Sequence, residues 1–305
     1  MLAKKHLIIF NPQAGSGQSM RYLPGIEQYL QQAGIHHQII HTKAMGEAQS
    51  LVEKASLNEY SAVVAAGGDG TLFEVVNGLM SHNTHDRIPL GIIPVGTGNA
   101  FARELGLQPT DWQAGIDLIL HKRFRDIDVG EVQTATDHFY FLNIIGLGFV
   151  VQAGRSTMKI KKLGKSSYTL ATLWETIRLK KYPLKLQMTL ADGQVEQLHD
   201  DLVFVEVANS RYTGTSFLIA PDAQIDDGLL DVIILKKISR FKILRLFPTI
   251  YSGKHVNYPE VETRQVKSIS IESEQPMPLM PDGEFFSETP VTIHCIPSGI
   301  QLFSR

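Results

Sequence analysis

Three short stretches of this sequence carry residue types suited to phosphate chemistry: Asn11-Pro12-Gln13-Ala14-Gly15-Ser16-Gly17, Gly67-Gly68-Asp69-Gly70-Thr71 and Gly96-Thr97-Gly98-Asn99. Glycine permits positive φ and lets another group come close to the backbone. Backbone N–H groups at such a turn, with a helix N-terminus behind them, suit a phosphate. Asp69 needs a further reason, because a carboxylate at an anion site repels phosphate unless a cation sits between them. That points to Mg²⁺ with a polyphosphate. One such loop reads as an ordinary tight turn between a strand and a helix. Three of them, two pairing Gly with Thr, favour a nucleotide phosphate site. The chain has no G-x-x-x-x-G-K-[ST], no G-x-G-x-x-G and no protein-kinase signature set, so Walker-type and Rossmann dinucleotide binding are unsupported. A further carboxylate, Asp282 of Pro281-Asp282-Gly283-Glu284, reads on its own as a turn aspartate.

The elements that must position these loops follow from hydrophobic period. HLIIF precedes the first loop as a strand, and a helix follows over about residues 19–33 with Tyr22, Ile26, Tyr29 and Leu30 on one face. HHQIIHT is a second strand, followed by a helix through about residues 46–56. The run Ala62-Val63-Val64-Ala65-Ala66 suits a strand buried on both faces, and Leu72, Val75, Val76 and Leu79 recur at helical spacing. PLGIIPVGTGNAFAREL gives a further strand, loop and helix. Such alternation implies a parallel sheet with helices on both faces, and ligands of such sheets bind at the C-terminal strand ends. All three loops fall at that edge.

Past about residue 125 period-two segments dominate: HFYFLNIIG, LKLQMTL, DDLVFVEVAN, GLLDVIIL, VKSISIES and PVTIHCI. Turns at Ala191-Asp192-Gly193 and Asp227-Gly228 separate some of them, which describes an antiparallel β-sandwich. Helical segments near 166–180 and 239–252 interrupt it, the second capped by Ser239 and kinked by Pro248. The expected domains are 1–128 and 129–297, with 298–305 (IQLFSR closes the chain) a candidate to rejoin the first.

At 305 residues, 43% hydrophobic and 20% charged with a net charge of −2, the chain can hold two cored domains. Its one cysteine, Cys295, excludes an internal disulfide framework, suits a reducing cytosol and reads as a buried strand thiol. The N-terminal apolar run is too short for a signal peptide, and no run reaches membrane-spanning length, so a cytoplasmic, soluble or peripheral protein is expected. Residues 1–150 carry ten basic and fourteen acidic residues, whereas 151–305 carry nineteen and seventeen. The basic charge is clumped: nine Lys/Arg and one acid from Arg155 to Lys185, six and none from Lys236 to Lys254. Solvated helix faces, nucleic acid or an anionic membrane would each suit such clumps. No histidine has zinc-site spacing with Cys or acidic partners.

GGDGT, with NPQAG upstream and PVGTGNAFAR downstream, resembles the diacylglycerol-kinase-like lipid kinases, which include bacterial soluble lipid kinases and sphingosine kinases. The likeness extends to PDAQIDDGLLDV, to Ser252-Gly253-Lys254-His255 and to LMPDGEFF. It implies an α/β protein of two domains: an N-terminal three-layer, Rossmann-like (NAD-kinase-like) parallel sheet, a C-terminal antiparallel β-sandwich, and ATP in the cleft between them. Asn11, Pro12, Gln13, Ala14, Gly15, Thr42, Gly67, Gly68, Asp69, Gly70, Thr71, Leu72, Phe73 and Thr97 would hold the nucleotide with Mg²⁺. Asp282 would be the general base on a lipid hydroxyl, with Glu284 near it and Asp69 also counted among the catalytic carboxylates. A structural Mg²⁺ would take the side chain of Asp227 and the carbonyls of Gln224 and Leu229. One departure is Ala100, where many bacterial diacylglycerol kinases have an Asp linked through Mg²⁺ to the GGDGT aspartate and a later one, here Asp128; sphingosine kinases resemble this chain in having Ala.

The expected activity is therefore ATP-dependent phosphorylation of a diacylglycerol-like or related lipid at a membrane surface, with no nucleic-acid partner and a homodimer left open. The basic segment 155–185, with Met158, Leu163, Tyr168, Leu170 and Trp174 interleaved, would rest on anionic headgroups. Two rivals stand beside this reading. An NAD-kinase-like enzyme would use the same GGDGT on a soluble dinucleotide, and a catalytically weak lipid-binding protein would keep the fold without turnover.

Overall fold

Runs of Val, Ile and Ala without a polar face need cover on both sides, and the first part of the chain supplies it with helices. The computed structural model describes residues 4–83, 87–159, 174–176, 178–214 and 216–305. The chain divides into two compact units, 1–129 with 297–305, and 130–296.

In the first unit, β1 (Lys5–Phe10), β2 (His37–His41), β3 (Tyr60–Gly67) and β4 (Leu90–Pro94) form a parallel sheet in the order β2-β1-β3-β4. The last strand of the chain, β16 (Val291–Phe303), ends beside β4 with Leu302 opposite Leu90, again parallel. Helices α1 (Leu23–Gln32), α2 (Glu47–Glu53), α3 (Asp69–Met80) and α4 (Trp112–His121) connect the strands. The expected apolar stripes are the buried ones: Ile26 and Leu30 on α1, and Leu72, Val75, Val76 and Leu79 on α3. Two expected helices are shorter than their patterns. Residues 18–21 form a separate 3₁₀ turn, because Pro24 at the helix start removes an N–H donor. The segment after the third loop is only a 3₁₀ helix, Phe101–Leu105, stopped by left-handed Gly106 (φ 71°).

In the second unit, one antiparallel run follows the order β15 (Leu279–Pro281), β7 (Ile144–Gly148), β10 (Phe204–Ala208), β13 (Leu230–Leu235) and β14 (Val261–Ser273). Strand β14 is long enough to serve two ladders. Val261–Val266 pair with β13, and the half beyond pairs with β8 (Tyr182–Leu190) on one side and the start of β16 on the other. Strand β9 (Val195–Leu202) continues from β8, and β6 (His138–Phe141) pairs with the end of β5 (Phe124–Thr134). HFYFLNIIG is thus two strands, broken at Leu142-Asn143. A cluster of apolar side chains fills one face of the β7-β10-β13 run beneath α5 (Phe149–Lys159) and the short helix Arg240–Leu246. Ser239 caps that helix by accepting the Lys242 N–H, and at Phe247 and Pro248 it tightens into a 3₁₀ stretch through Ser252. Most of the expected helix near 166–180 lies outside the described residues. Cys295 is half-buried in β16 rather than buried, since the sheet face it occupies there is only partly covered.

Candidate active site

The three loops follow β1, β3 and β4, neighbouring parallel strands, and so emerge at one sheet edge. They are tied to each other by hydrogen bonds. Asn11 Nδ2 donates to Thr71 Oγ1 at 2.9 Å, while its Oδ1 accepts the Gln13 N–H at 2.9 Å. The fully buried Ser19 Oγ lies 2.9 Å from the carbonyl oxygens of Asn11 and Pro12. Gly15, Ser16 and Gly17 are all left-handed, with φ of 60°, 59° and 82°, so the chain curls tightly at this point. Thr42 is buried after β2, its N–H on the Phe10 carbonyl.

The second and third loops touch backbone to backbone. The Gly67 carbonyl accepts the Val95 N–H at 3.0 Å and Asn99 Nδ2 at 2.9 Å. A Cβ on Gly96 would stand 2.4 Å from Gly68 Cα, so neither loop can move without the other. Thr71 and Leu72 are buried and belong to the support, whereas Gly68, Gly70 and Phe73 are half-buried and Thr97 is exposed. Asp69 opens α3 and turns its carboxylate toward the third loop, where Oδ1 accepts the Ala100 N–H at 2.7 Å. Burial pushes its carboxyl up to about 6, against the pull of the backbone N–H groups of Ala100, Phe101 and Asn99 and the Arg103 charge. Asn99 Oδ1, buried in the same loop, has no hydrogen-bond partner among the described residues. A ribose hydroxyl or a water on a bound cation is the chemistry that acceptor fits. Asp128 is almost fully buried and its Oδ1 accepts the Ser298 N–H at 2.9 Å.

In the second unit Asp282 follows β15 in a left-handed conformation (φ 47°), with Gly283 after it at φ 90°. Its N–H bonds the Ile144 carbonyl at 2.9 Å. Oδ1 accepts the N–H groups of Asn143 and Ile144, each at 3.1 Å, and Oδ2 lies 3.5 Å from the Leu142 nitrogen. The break between β6 and β7 is what turns these donors toward one carboxylate. Buried asparagines hold the break: Asn209 Nδ2 donates to the Leu142 carbonyl at 3.0 Å, and Ser210 Oγ donates to Asn143 Oδ1 at 3.0 Å. Sequence reasoning quoted Asn99 within its loop without giving its side chain a role, and missed Asn143, Asn209 and Ser210. The one signal available was an asparagine at the end of an apolar strand, in FLNIIG and in VANS. Glu284 is exposed on the same turn.

The segment 224–229 is a turn in which Asp227 Oδ1 accepts the Leu229 N–H at 3.0 Å and Gly228 is left-handed at φ 77°. Burial raises the Asp227 carboxyl, with the charge of Asp226 adding to it. Nearby Asp231 is pushed up to about 7 by burial and by the carboxylates of Asp227 and Asp222. Unrelieved negative charge among hard oxygens fits a cation such as Mg²⁺. Among the described residues no three His, Cys, Asp or Glu converge as metal ligands, so such a site would depend on backbone carbonyls, as those of Gln224 and Leu229 would provide. Of the basic segment 155–185, only its ends are described; there Arg178 lies over the half-exposed Trp174 ring, 4.8 Å from its centroid.

Against known proteins, residues 5–132 match the diacylglycerol kinase catalytic domain, and residues 143–304 match the YegS C-terminal NAD kinase beta sandwich-like domain. A diacylglycerol kinase of Mycobacterium tuberculosis is 32% identical over 295 residues, covering 96% of this chain and 92% of its own. One of Bacillus subtilis is 32% identical, covering 92% and 90%. The crystal structure of a diacylglycerol kinase from Bacillus anthracis has a TM-score of 0.74 at 25% identity, covering 100% of this chain and 98% of its own.

Two outcomes are expected from the first unit. Asp69→Asn keeps an acceptor for Ala100 and removes the buried charge. Because the folded carboxyl titrates near 6 rather than 3.8, wild-type stability falls as pH rises between those values. The melting-temperature advantage of Asp69→Asn is therefore expected to grow from pH 4 to 6 and then level off; a constant difference would contradict the burial. Gly96→Ala forces a methyl onto Gly68 and is expected to weaken ATP binding about tenfold or more while unfolding stays cooperative; unchanged nucleotide affinity by calorimetry would show that the loops do not act together.

Proposed function

Because the chain belongs to the diacylglycerol kinase family, and is thus a phosphotransferase with an alcohol acceptor, we propose that it transfers the γ-phosphate of ATP to a hydroxyl of a diacylglycerol-like lipid, with Asp282 as the general base. The observation that carries the assignment is the Asp282 carboxylate, fixed by two backbone N–H groups at one end of a strand run whose covered face is apolar. A lipid hydroxyl is a weak nucleophile at neutral pH, and a fixed carboxylate can take its proton as the O–P bond forms. The N–H groups of the loops at 11–17, 67–70 and 96–99 would orient the phosphates. Mg²⁺, bound with the nucleotide near Asp69, would neutralise charge on the transferring phosphoryl group. Asp227, with the carbonyls of Gln224 and Leu229, would hold the structural cation.

The acyl part of the lipid has a place in the second unit. An apolar cavity opens beside the helix Arg240–Leu246, lined among others by Phe149, Phe204, Phe217, Leu246, Phe247 and Ile250. The same helical stretch shows solvent the large apolar side chains Phe241, Leu244 and Tyr251, at 85%, 40% and 46% exposure. Exposed cations flank them at Lys237, Arg240, Arg245 and Lys254. A helix with apolar side chains outward and cations beside them suits the interface of an anionic bilayer. These side chains support a membrane contact at residues 237–254, the second of the two basic clumps, beside the one expected at 155–185, the middle of which lies outside the described residues.

Asp282→Asn is expected to lower lipid phosphorylation about a hundredfold to ten-thousandfold while ATP binding is retained. Turnover within a few-fold of wild type would remove Asp282 from the chemistry, and transfer to NAD but to no lipid would move the activity to a soluble dinucleotide. Phe241→Ser with Leu244→Ser is expected to weaken binding to vesicles of phosphatidylglycerol and phosphatidylcholine about tenfold or more. Turnover of a dissolved short-chain diacylglycerol should be unchanged by that pair; equal vesicle binding would place the membrane contact elsewhere.

A further inference from the structure

The cavity just described contains one ionisable group. Glu206 lies at the centre of β10, where strand alternation puts it on the face of Phe204 and Ala208, within the apolar cluster. It is 4% exposed and lines the cavity, whose volume is about 40 Å³ and which opens to solvent. Thr213 is the one other polar lining residue among the described residues. Across the ladders its neighbours are Gly146 on β7 and Ile233 on β13, and the helix above contributes Ile243 and Leu246. Among the described residues no other charged side chain lines the cavity, and burial raises the Glu206 carboxyl to about 8, which favours the uncharged acid at neutral pH. Its Oε2 has no hydrogen-bond partner among the described residues. A buried polar atom without a partner is costly, and in a native protein it calls for a ligand or a water.

The sheet register fixes how far Glu206 is from the candidate base. Glu206 pairs with Gly146, and Gly146 pairs with Met280 of β15, which makes two strand spacings, roughly 10 Å. Asp282 bonds the carbonyl of Ile144, two residues along β7 from Gly146, a displacement of roughly 7 Å. The diagonal between the two backbone positions is roughly 12 Å, and an extended chain advances roughly 1.2 Å per bond, so a chain of about ten bonds would span it.

Resting on the lipid-kinase reading, we propose that Glu206 determines lipid specificity: its carboxyl donates a hydrogen bond to an oxygen that the lipid carries about ten bonds from the hydroxyl receiving phosphate. The ester carbonyls of a plain diacylglycerol lie about half that distance from its hydroxyl and leave Glu206 unpaired. Two sources meet the requirement. One is a diacylglycerol with a hydroxyl near carbon 7 of an acyl chain. The other is a diacyl lipid whose free hydroxyl sits on a longer headgroup, which carries its ester carbonyls to that depth.

The test compares wild type, Glu206→Leu and Glu206→Gln on three lipids in mixed micelles: distearoylglycerol, its 7-hydroxystearoyl counterpart and distearoyl phosphatidylglycerol. For wild type, KM is expected to be about tenfold lower for one of the two oxygen-matched lipids than for distearoylglycerol, with little change in kcat. Whichever lipid gains identifies the source. Glu206→Leu should erase the preference. Glu206→Gln, whose amide also donates, should keep it, and should keep it above pH 8 where wild type loses it. The same lipid ratio in Glu206→Leu as in wild type, or equal KM for all three lipids in wild type, overturns the proposal and leaves Glu206 a buried water site. If wild type phosphorylates none of the three, the kinase reading fails instead, and equilibrium binding of the same lipids to wild type and Glu206→Leu still decides the role of Glu206.

Discussion

A hydrogen bond from the Ala100 N–H to Asp69, with the near contact of Gly68 and Gly96 beside it, is the constraint on which the loop edge of the first unit depends. In a parallel sheet every strand delivers its following loop to the same edge, but that alone leaves the loops independent. Here the start of α3 captures the loop after β4 through one carboxylate, while Asn11 captures Thr71 from the other side. Three loops from three strands therefore behave as one surface of backbone donors. Glycine at 96 is required by distance, since a Cβ there would stand 2.4 Å from Gly68 Cα, whereas one on Gly68 would only reach ordinary contact at 3.5 Å. Burying Asp69 is unfavourable for its charge, and the cluster of backbone N–H groups at 99–101 offsets part of that.

The second unit places two carboxyls on one strand run and gives them opposite surroundings. Asp282 receives backbone N–H groups from a break between β6 and β7, a break itself held by Asn209 and Ser210. Glu206, two strands away, receives nothing at Oε2 and is surrounded by hydrocarbon. A carboxylate held by backbone donors is fixed in place as an acceptor, and an uncharged carboxyl among apolar side chains is suited to donate a hydrogen bond. In the proposed reaction Asp282 would serve the reacting end and Glu206 the recognising end, and sheet register sets the separation of their backbones.

Much of this was legible in the sequence because the signals are local. The apolar run 62–66, the stripe on α3, the Ser239 cap and the bend at Pro248 each follow from neighbours within a few residues. GGDGT and PDGE were legible as places where chemistry could occur. What was not legible depends on partners far along the chain. Asn143 and Ser210 are 67 residues apart, and nothing in FLNIIG or VANS declares that pairing. Glu206, in FVEVAN, looks like an outward residue of an alternating strand, and it is α5 with the helix at 240–246 that makes its face an interior. The separate 3₁₀ turn at 18–21 and the shortness of the helix after Asn99 reflect Pro24 and Gly106, whose local effect outweighs the apolar pattern.

Ala100 shows how a departure from a family pattern can be read physically. The residue is 1% exposed and its N–H already occupies one oxygen of Asp69. An aspartate at this position would bring a second carboxylate beside one whose charge is disfavoured by burial, and like charges at that separation need a cation to hold them. With alanine there, Asp69 meets backbone donors and Arg103 instead. Asp128 has its own partner in the Ser298 N–H. The loops are therefore linked by hydrogen bonds that this chain itself supplies. In the proposed reaction the phosphates of the nucleotide would then provide most of the oxygen ligands for Mg²⁺, which would make metal affinity at this edge depend on bound nucleotide.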